Sequence, residues 1–134
     1  MITLEMYLMG RDKTHDCPEE VKRNAAELIE KVNRLLAHMA PLINRFPKLV
    51  IAVSSGWRPA QINAATKGAA PKSHHLTGNA LDITDHVSIL KDWCMANLDK
   101  LEECGLYMES PEHSPTWLHL QQLPPKSGKR VFYP

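Results

Sequence analysis

The 134 residues, 43% hydrophobic and 23% charged, have the composition of an ordinary globular chain large enough to bury one core. A formal net charge of +1 argues against the broad electrostatic attraction that nucleic acid or an anionic membrane requires. No window nears the run of about eighteen apolar residues a membrane span needs. Cys17, Cys94 and Cys104, odd in number and without C-x-x-C spacing, point to reduced thiols in a reducing compartment.

In chain order, Ile2 to Met9 is a short mixed segment followed by the polar run Gly10 to Lys13, and an arm or an edge strand is expected there. This start has neither the basic flank nor the apolar core of a signal peptide, so the protein is expected in the cytoplasm on synthesis. Asp16, Pro18 and Glu19 read as a helix start with a capping box. From Val21 to Met39 apolar residues recur every three or four positions, which predicts an amphipathic core helix closed by Pro41. Leu49 to Val53 is a β-branched run expected to form a buried strand. It delivers the chain to Ser54-Ser55-Gly56-Trp57-Arg58-Pro59, where Gly56 permits a sharp turn and Pro59 keeps Arg58 extended. A guanidinium at the end of a buried strand is well placed to enter a cleft, and its planar fork suits a carboxylate. A short helix over 59–66 and a Gly/Ala/Pro loop over 67–72 follow.

Residues 79–84 alternate as a strand does, so Asp82 projects opposite Leu81 and Ile83. A second helix is expected from Asp85 to Gly105, with Val87, Leu90, Trp93, Cys94, Leu98 and Leu101 on one face. Residues 105–109 and 116–121 read as a hairpin that brings Glu109 near His119, with Trp117, His119 and Gln121 sharing a face. The tail ends in a short strand. One domain spanning 1–134 is expected, an α+β fold with a small, mostly antiparallel sheet packed by two main helices.

His75, Asp82 and His119 supply two imidazoles and one carboxylate. With a fourth position left to water, they suit an open tetrahedral zinc site. His74 is the competing ligand beside His75. The pieces Ser55-Gly56-Trp57-Arg58, Ser73-x-His75-x-x-Gly78-x-Ala80-x-Asp82 and Trp117-x-His119, in that order, resemble the zinc D-Ala-D-Ala peptidase and L-alanyl-D-glutamate endopeptidase group, peptidase family M15. The matched region runs from about Val53 to Gln121, and the middle motif is its most specific part. The resemblance implies a fold related to the Hedgehog signalling domain and zinc on His75, Asp82 and His119. It further implies that Arg58 binds substrate or steadies the oxyanion, that Ser73 lines the site, and that Trp117 contacts substrate. The implied partner is a peptidoglycan peptide, cut at an amide bond by a monomer that neither binds nucleic acid nor inserts into membrane. Because the group includes phage endolysins, a phage or prophage protein is expected, reaching the wall after release or as a virion component.

One position departs from the pattern. The group commonly carries a Glu, Asp or His general base three residues before the last zinc ligand, and here that position is Thr116, which takes no proton near neutral pH. Glu109 is the favoured substitute, with Glu112 and His113 as alternatives, and a chain without any base as the last. In that last case the domain is a catalytically inactive zinc-binding module that holds cell-wall peptide or serves as a phage structural or accessory protein.

Overall fold

The apolar stripe from Val21 to Leu36 folds as expected into the longest helix of the molecule. The structure, a computed structural model, describes residues 1–134. The first elements are α1 (Leu4–Leu8), α2 (Glu19–His38) and α3 (Ala40–Arg45). On α2 Val21, Ala25, Leu28, Ile29, Val32, Leu35 and Leu36 are all buried, and each of these Val, Leu and Ile side chains contributes about 1.5–3 kcal/mol when fully removed from water. Its start differs from the expected capping box. Pro18 occupies the cap without a side-chain hydrogen bond, and the acidic Glu19 and Glu20 oppose the positive end of the helix dipole instead. Nor does Pro41 close α2. The helix ends at His38, and Pro41 sits in the first turn of α3, where its missing N–H has no partner to lose.

The expected arm at the N-terminus is neither free nor a strand. It is α1, capped by the Thr3 hydroxyl, followed by a 3₁₀ turn at Arg11–Lys13. Asn33 holds Ile2 through both its amide and its carbonyl, at 2.8 and 2.9 Å. Tyr7 is fully buried, and its hydroxyl donates to the Ala80 carbonyl at 3.0 Å.

The sheet contains β1 (Val53–Ser55), β2 (Ala80–Thr84), β3 (Tyr107–Glu109), β4 (Trp117–Gln121) and β5 (Val131–Phe132), in the spatial order β1-β2-β4-β3-β5. Three pairings are antiparallel, and only β3–β5 is parallel. The first strand lies later than expected. Val50 is 72% exposed, and pairing begins at Val53 with a register shift before Ser55. Between β1 and β2 runs α4 (Ala60–Ala65), at the place read as a short helix.

The second main helix is broken in two, α5 (Ile89–Ala96) and α6 (Leu98–Glu103). Asn97 interrupts it by donating its side-chain amide to the Trp93 carbonyl at 2.8 Å. Asp85 stands before the helix rather than within it. Its carboxylate accepts from the Leu90 and Lys91 amides at 3.1 and 2.8 Å, and Val87, expected on the core face, is 72% exposed. Leu81 and Ile83 of β2 and Leu118 and Leu120 of β4 face the core with α2, so the alternate residues of these two strands face the other way. No helix is long and apolar enough to cross a membrane. The architecture is α+β.

Candidate metal centre

The two central strands set the site. In the antiparallel register Asp82 lies directly opposite His119, and Asp82 Oδ1 stands 2.8 Å from His119 Nδ1. His75 arrives from a 3₁₀ turn, His74–Thr77, capped by the Ser73 hydroxyl, which accepts from the His75 amide at 3.2 Å. The turn ends on Gly78 at φ +80°, where a Cβ would also lie 2.5 Å from the Val21 carbonyl oxygen of α2. Gly78 therefore lets the His75 turn pack on the main helix. His75 Nε2 reaches Asp82 Oδ1 at 3.3 Å.

The far nitrogens decide the tautomers. His75 Nδ1 faces the Gly56 carbonyl at 2.8 Å, an oxygen that can only accept, so Nδ1 carries the proton and Nε2 points into the site. His119 Nε2 faces Gln121 Oε1 at 3.0 Å. The Gln121 amide nitrogen is committed to the Leu123 carbonyl at 2.8 Å, which fixes Oε1 as the acceptor and leaves His119 Nδ1 as the inward atom. Such partners on the outer nitrogen orient metal-binding histidines and raise their basicity.

One donor atom from each of His75, Asp82 and His119 lies within 4.8 Å of the others. Zinc ligands at about 2.0–2.1 Å in tetrahedral array stand about 3.3 Å apart, which matches the His75–Asp82 separation of 3.3 Å. The His119–Asp82 pair is closer and hydrogen-bonded. Two nitrogens, one carboxylate oxygen and two oriented imidazoles fit a zinc ion. His74 and Cys104 lie outside this donor group.

Electrostatics follow the geometry. Burial pushes the Asp82 carboxyl up, but hydrogen bonds and charge from His119 and His75 outweigh it and hold the group far below the usual carboxylate range. Burial lowers His75 despite Asp82. Burial also pulls His119 down, yet its bond to Asp82, the carboxylate charge, Gln121 and Glu109 together leave it raised.

The triad opens onto a cleft of about 1130 Å³ that Arg58, Ser73, Glu109, His113 and Trp117 also line. Arg58 Nη2 donates to the Ser73 hydroxyl at 3.2 Å, while its buried Nε has no partner. Glu109 is half-buried, and burial first, with Asp82 adding to it, raises its pKa against the lowering by His119 and His113. Thr116 is exposed and contributes its carbonyl to the Asp85 amide at 2.9 Å, away from the cleft. Glu112 is likewise exposed and does not line it. His113 does line it, with Nδ1 3.1 Å from the Ser110 hydroxyl.

The sequence reading missed Arg11, which lines the same cleft and donates to the Trp57 carbonyl at 2.7 Å. No curated protein and no solved structure matches the chain. A family profile does, that of Peptidase M15, over residues 5–120, a span holding the whole triad together with Arg11 and Glu109. The chain, with its His-Asp-His group on a five-stranded α+β frame, belongs to the zinc peptidases of family M15.

Proposed function

We propose that the chain is a zinc-dependent peptidase that hydrolyses an amide bond in peptidoglycan stem peptides, encoded by a phage or prophage. The observation that carries this reading is the convergence of His75 Nε2, Asp82 Oδ1 and His119 Nδ1 within 4.8 Å on the floor of one cleft, with Glu109 and Arg58 on its walls. Bound there, zinc supplies Lewis acidity, which polarises a carbonyl and makes water more acidic. His75, Asp82 and His119 hold the ion, and Gly56 and Gln121 keep both imidazoles in the ligating tautomer. Glu109 takes the proton from the attacking water and returns it to the departing amine, a role worth about 10²–10⁴ in rate. Its raised pKa suits both steps. Arg58, steadied by Ser73, holds a substrate carboxylate or the developing oxyanion, and Trp117 forms part of the wall against which the peptide lies.

A second reading keeps the fold and the metal but not the chemistry: a binding module for cell-wall peptide. Thr116, standing where the family commonly has its base, favours it.

One preparation separates the two. The protein is purified, its zinc quantified, and new amines released from purified peptidoglycan measured beside His75→Ala and Glu109→Gln. Stoichiometric zinc with amine release lost in both variants supports the peptidase with Glu109 as base. Zinc without amine release from any wall type supports the binding module.

A further inference from the structure

The cleft is cationic on one side although the chain is nearly neutral. Arg11, Arg58, Lys67, Lys72 and Lys126 line it, five of the sixteen Lys and Arg, against the side-chain carboxylates of Asp82 and Glu109 alone. None of the five forms an ion pair within the chain. Asp82 is already committed to His75 and His119.

Four of these five charges lie on segments before or after β1, and Lys126 stands apart in the connection between β4 and β5. The strand order puts β1 at one sheet edge and β5 at the other, with Asp82 and His119 on the central pair. Arg58 follows β1, and Lys67 and Lys72 lie in the loop after α4, so they approach from the β1 edge. Arg11 joins them because its Nη1 donates to the carbonyl of Trp57, the residue before Arg58. Glu109, His113 and Phe132 line the β3–β5 side. A peptide lying across the strands with its scissile bond at the triad therefore has one end among guanidiniums.

Arg11 is held in this place by a tight approach of backbones. The Trp57 amide donates to the Tyr7 carbonyl at 3.3 Å, and a Cβ on Gly56 would stand 1.9 Å from that oxygen. The fold thus brings two like charges near one another, and although the Asp82 charge reaches Arg58, neither guanidinium forms an ion pair with a carboxylate of the chain. Arg58 is only 9% exposed and its buried Nε is unpartnered. Burial first, and then the neighbouring Arg58, pull the Arg11 pKa down, as expected for a cation crowded by another. Each fork spends one nitrogen on a neutral oxygen of the chain, Trp57 or Ser73, and with no carboxylate paired to it keeps donors that suit a carboxylate from outside.

We infer that Arg11 is a specificity-determining residue that holds a second substrate carboxylate beside the one Arg58 engages, so that the cleft selects peptides with two carboxylates on the β1 side of the scissile bond. This deepens the reading of the cleft given above and rests on it for the scissile bond.

The test uses zinc-loaded protein and an N-acetylated alanyl-glutamate in which a trans-alkene replaces the amide, prepared with each configuration of the acidic residue. It is compared by calorimetry with its two monoamides, in which one or the other carboxylate is a carboxamide. The diacid is expected to bind wild type about tenfold more tightly than either monoamide, a difference of about 1.4 kcal/mol. Arg11→Gln is expected to weaken the diacid about tenfold and to leave unchanged the monoamide lacking the Arg11-bound carboxylate. Equal wild-type affinities for diacid and monoamides overturn the inference, as does an Arg11→Gln loss shared equally by all three ligands. Should Arg11→Gln not fold, Arg11→Lys retains a donor for the Trp57 carbonyl without the fork. Its loss, about threefold, is expected on the diacid alone, and no selective loss is a refutation. The alkene ligand cannot be cut, so the two readings fail separately. A protein that shows the preference but releases no amine from wall peptides loses the peptidase proposal and keeps the carboxylate pair.

Discussion

Lys91 is a buried lysine whose removal should be among the most damaging single changes in the chain. Its ammonium and the Asp85 carboxylate are each 1% exposed and lie 3.4 Å apart. The same ammonium donates to the carbonyls of Asp85, Pro115 and Trp117 at 3.1, 3.3 and 3.2 Å, which pins the start of β4 to the start of α5. Lys91→Met keeps most of the volume but leaves the Asp85 charge buried without its counterion, a change that costs about 3–5 kcal/mol. For 134 residues the unfolding entropy near 60 °C is about 0.28 kcal/mol per degree, so each kcal/mol moves Tm by about 3.6 °C. The expected loss is therefore about 11–18 °C, read by circular dichroism, with a matching fall in the urea midpoint at constant slope. The double variant Asp85→Asn/Lys91→Met removes the stranded charge while keeping a side-chain acceptor for the α5 amides. It should be more stable than Lys91→Met by over about 1 kcal/mol. A Tm loss under about 4 °C in Lys91→Met, or strict additivity in the double variant, would refute the pairing as the source of stability.

Three further outcomes follow from the site and its supports. Gln121→Leu removes the acceptor of the His119 outer nitrogen and should weaken zinc affinity by about 10–100-fold in a competitive chelator titration, while Gln122→Leu should not. As the proposed base, Glu109 must be ionised, so kcat/KM should hold above its pKa and fall as pH drops through it. The limb is expected above the ordinary 4.5, and the residual rate of Glu109→Gln, lower by about 10²–10⁴, should lack it. Gly56→Ala should force α1 away from the strand end, because its Cβ would stand 1.9 Å from the Tyr7 carbonyl oxygen; hydrogen exchange at residues 3–9 should rise well before the amides of α2 are affected.

The parts of this fold that rest on a long period or a paired register were readable from residues alone. The α2 stripe shows its face over five turns, and Leu118 and Leu120 alternate with Trp117, His119 and Gln121 whatever the neighbours are. The meeting of Asp82 and His119 was legible for the same reason, because the strand containing each declares which residues face away from the core. Short elements were not. Helix α1 has five residues, too few for a period, and it forms because Tyr7 buries against Gly56 and Ala80, contacts no local pattern announces. Arg11 was invisible with it, since its place in the cleft depends on a hydrogen bond spanning 46 positions. The break at Asn97 and the exposure of Val87 share a cause: side-chain hydrogen bonds from Asn97 and to Asp85 overrode an apolar spacing that otherwise favours one helix.

The direct opposition of Asp82 and His119 also bears on how the chain finds its native pairing. Sliding β4 past β2 by one residue would turn Leu118 and Leu120 outward and drive His119 into the core, since side chains alternate along a strand. A two-residue slip would restore the alternation but place Trp117 or Gln121 opposite Asp82, and neither offers a zinc ligand of comparable strength. An ion that needs both side chains at once thus stabilises only one of the sheet's possible alignments, and its binding free energy is withheld from the others. A metal bound there would act as a proofreader of strand alignment as well as a reagent.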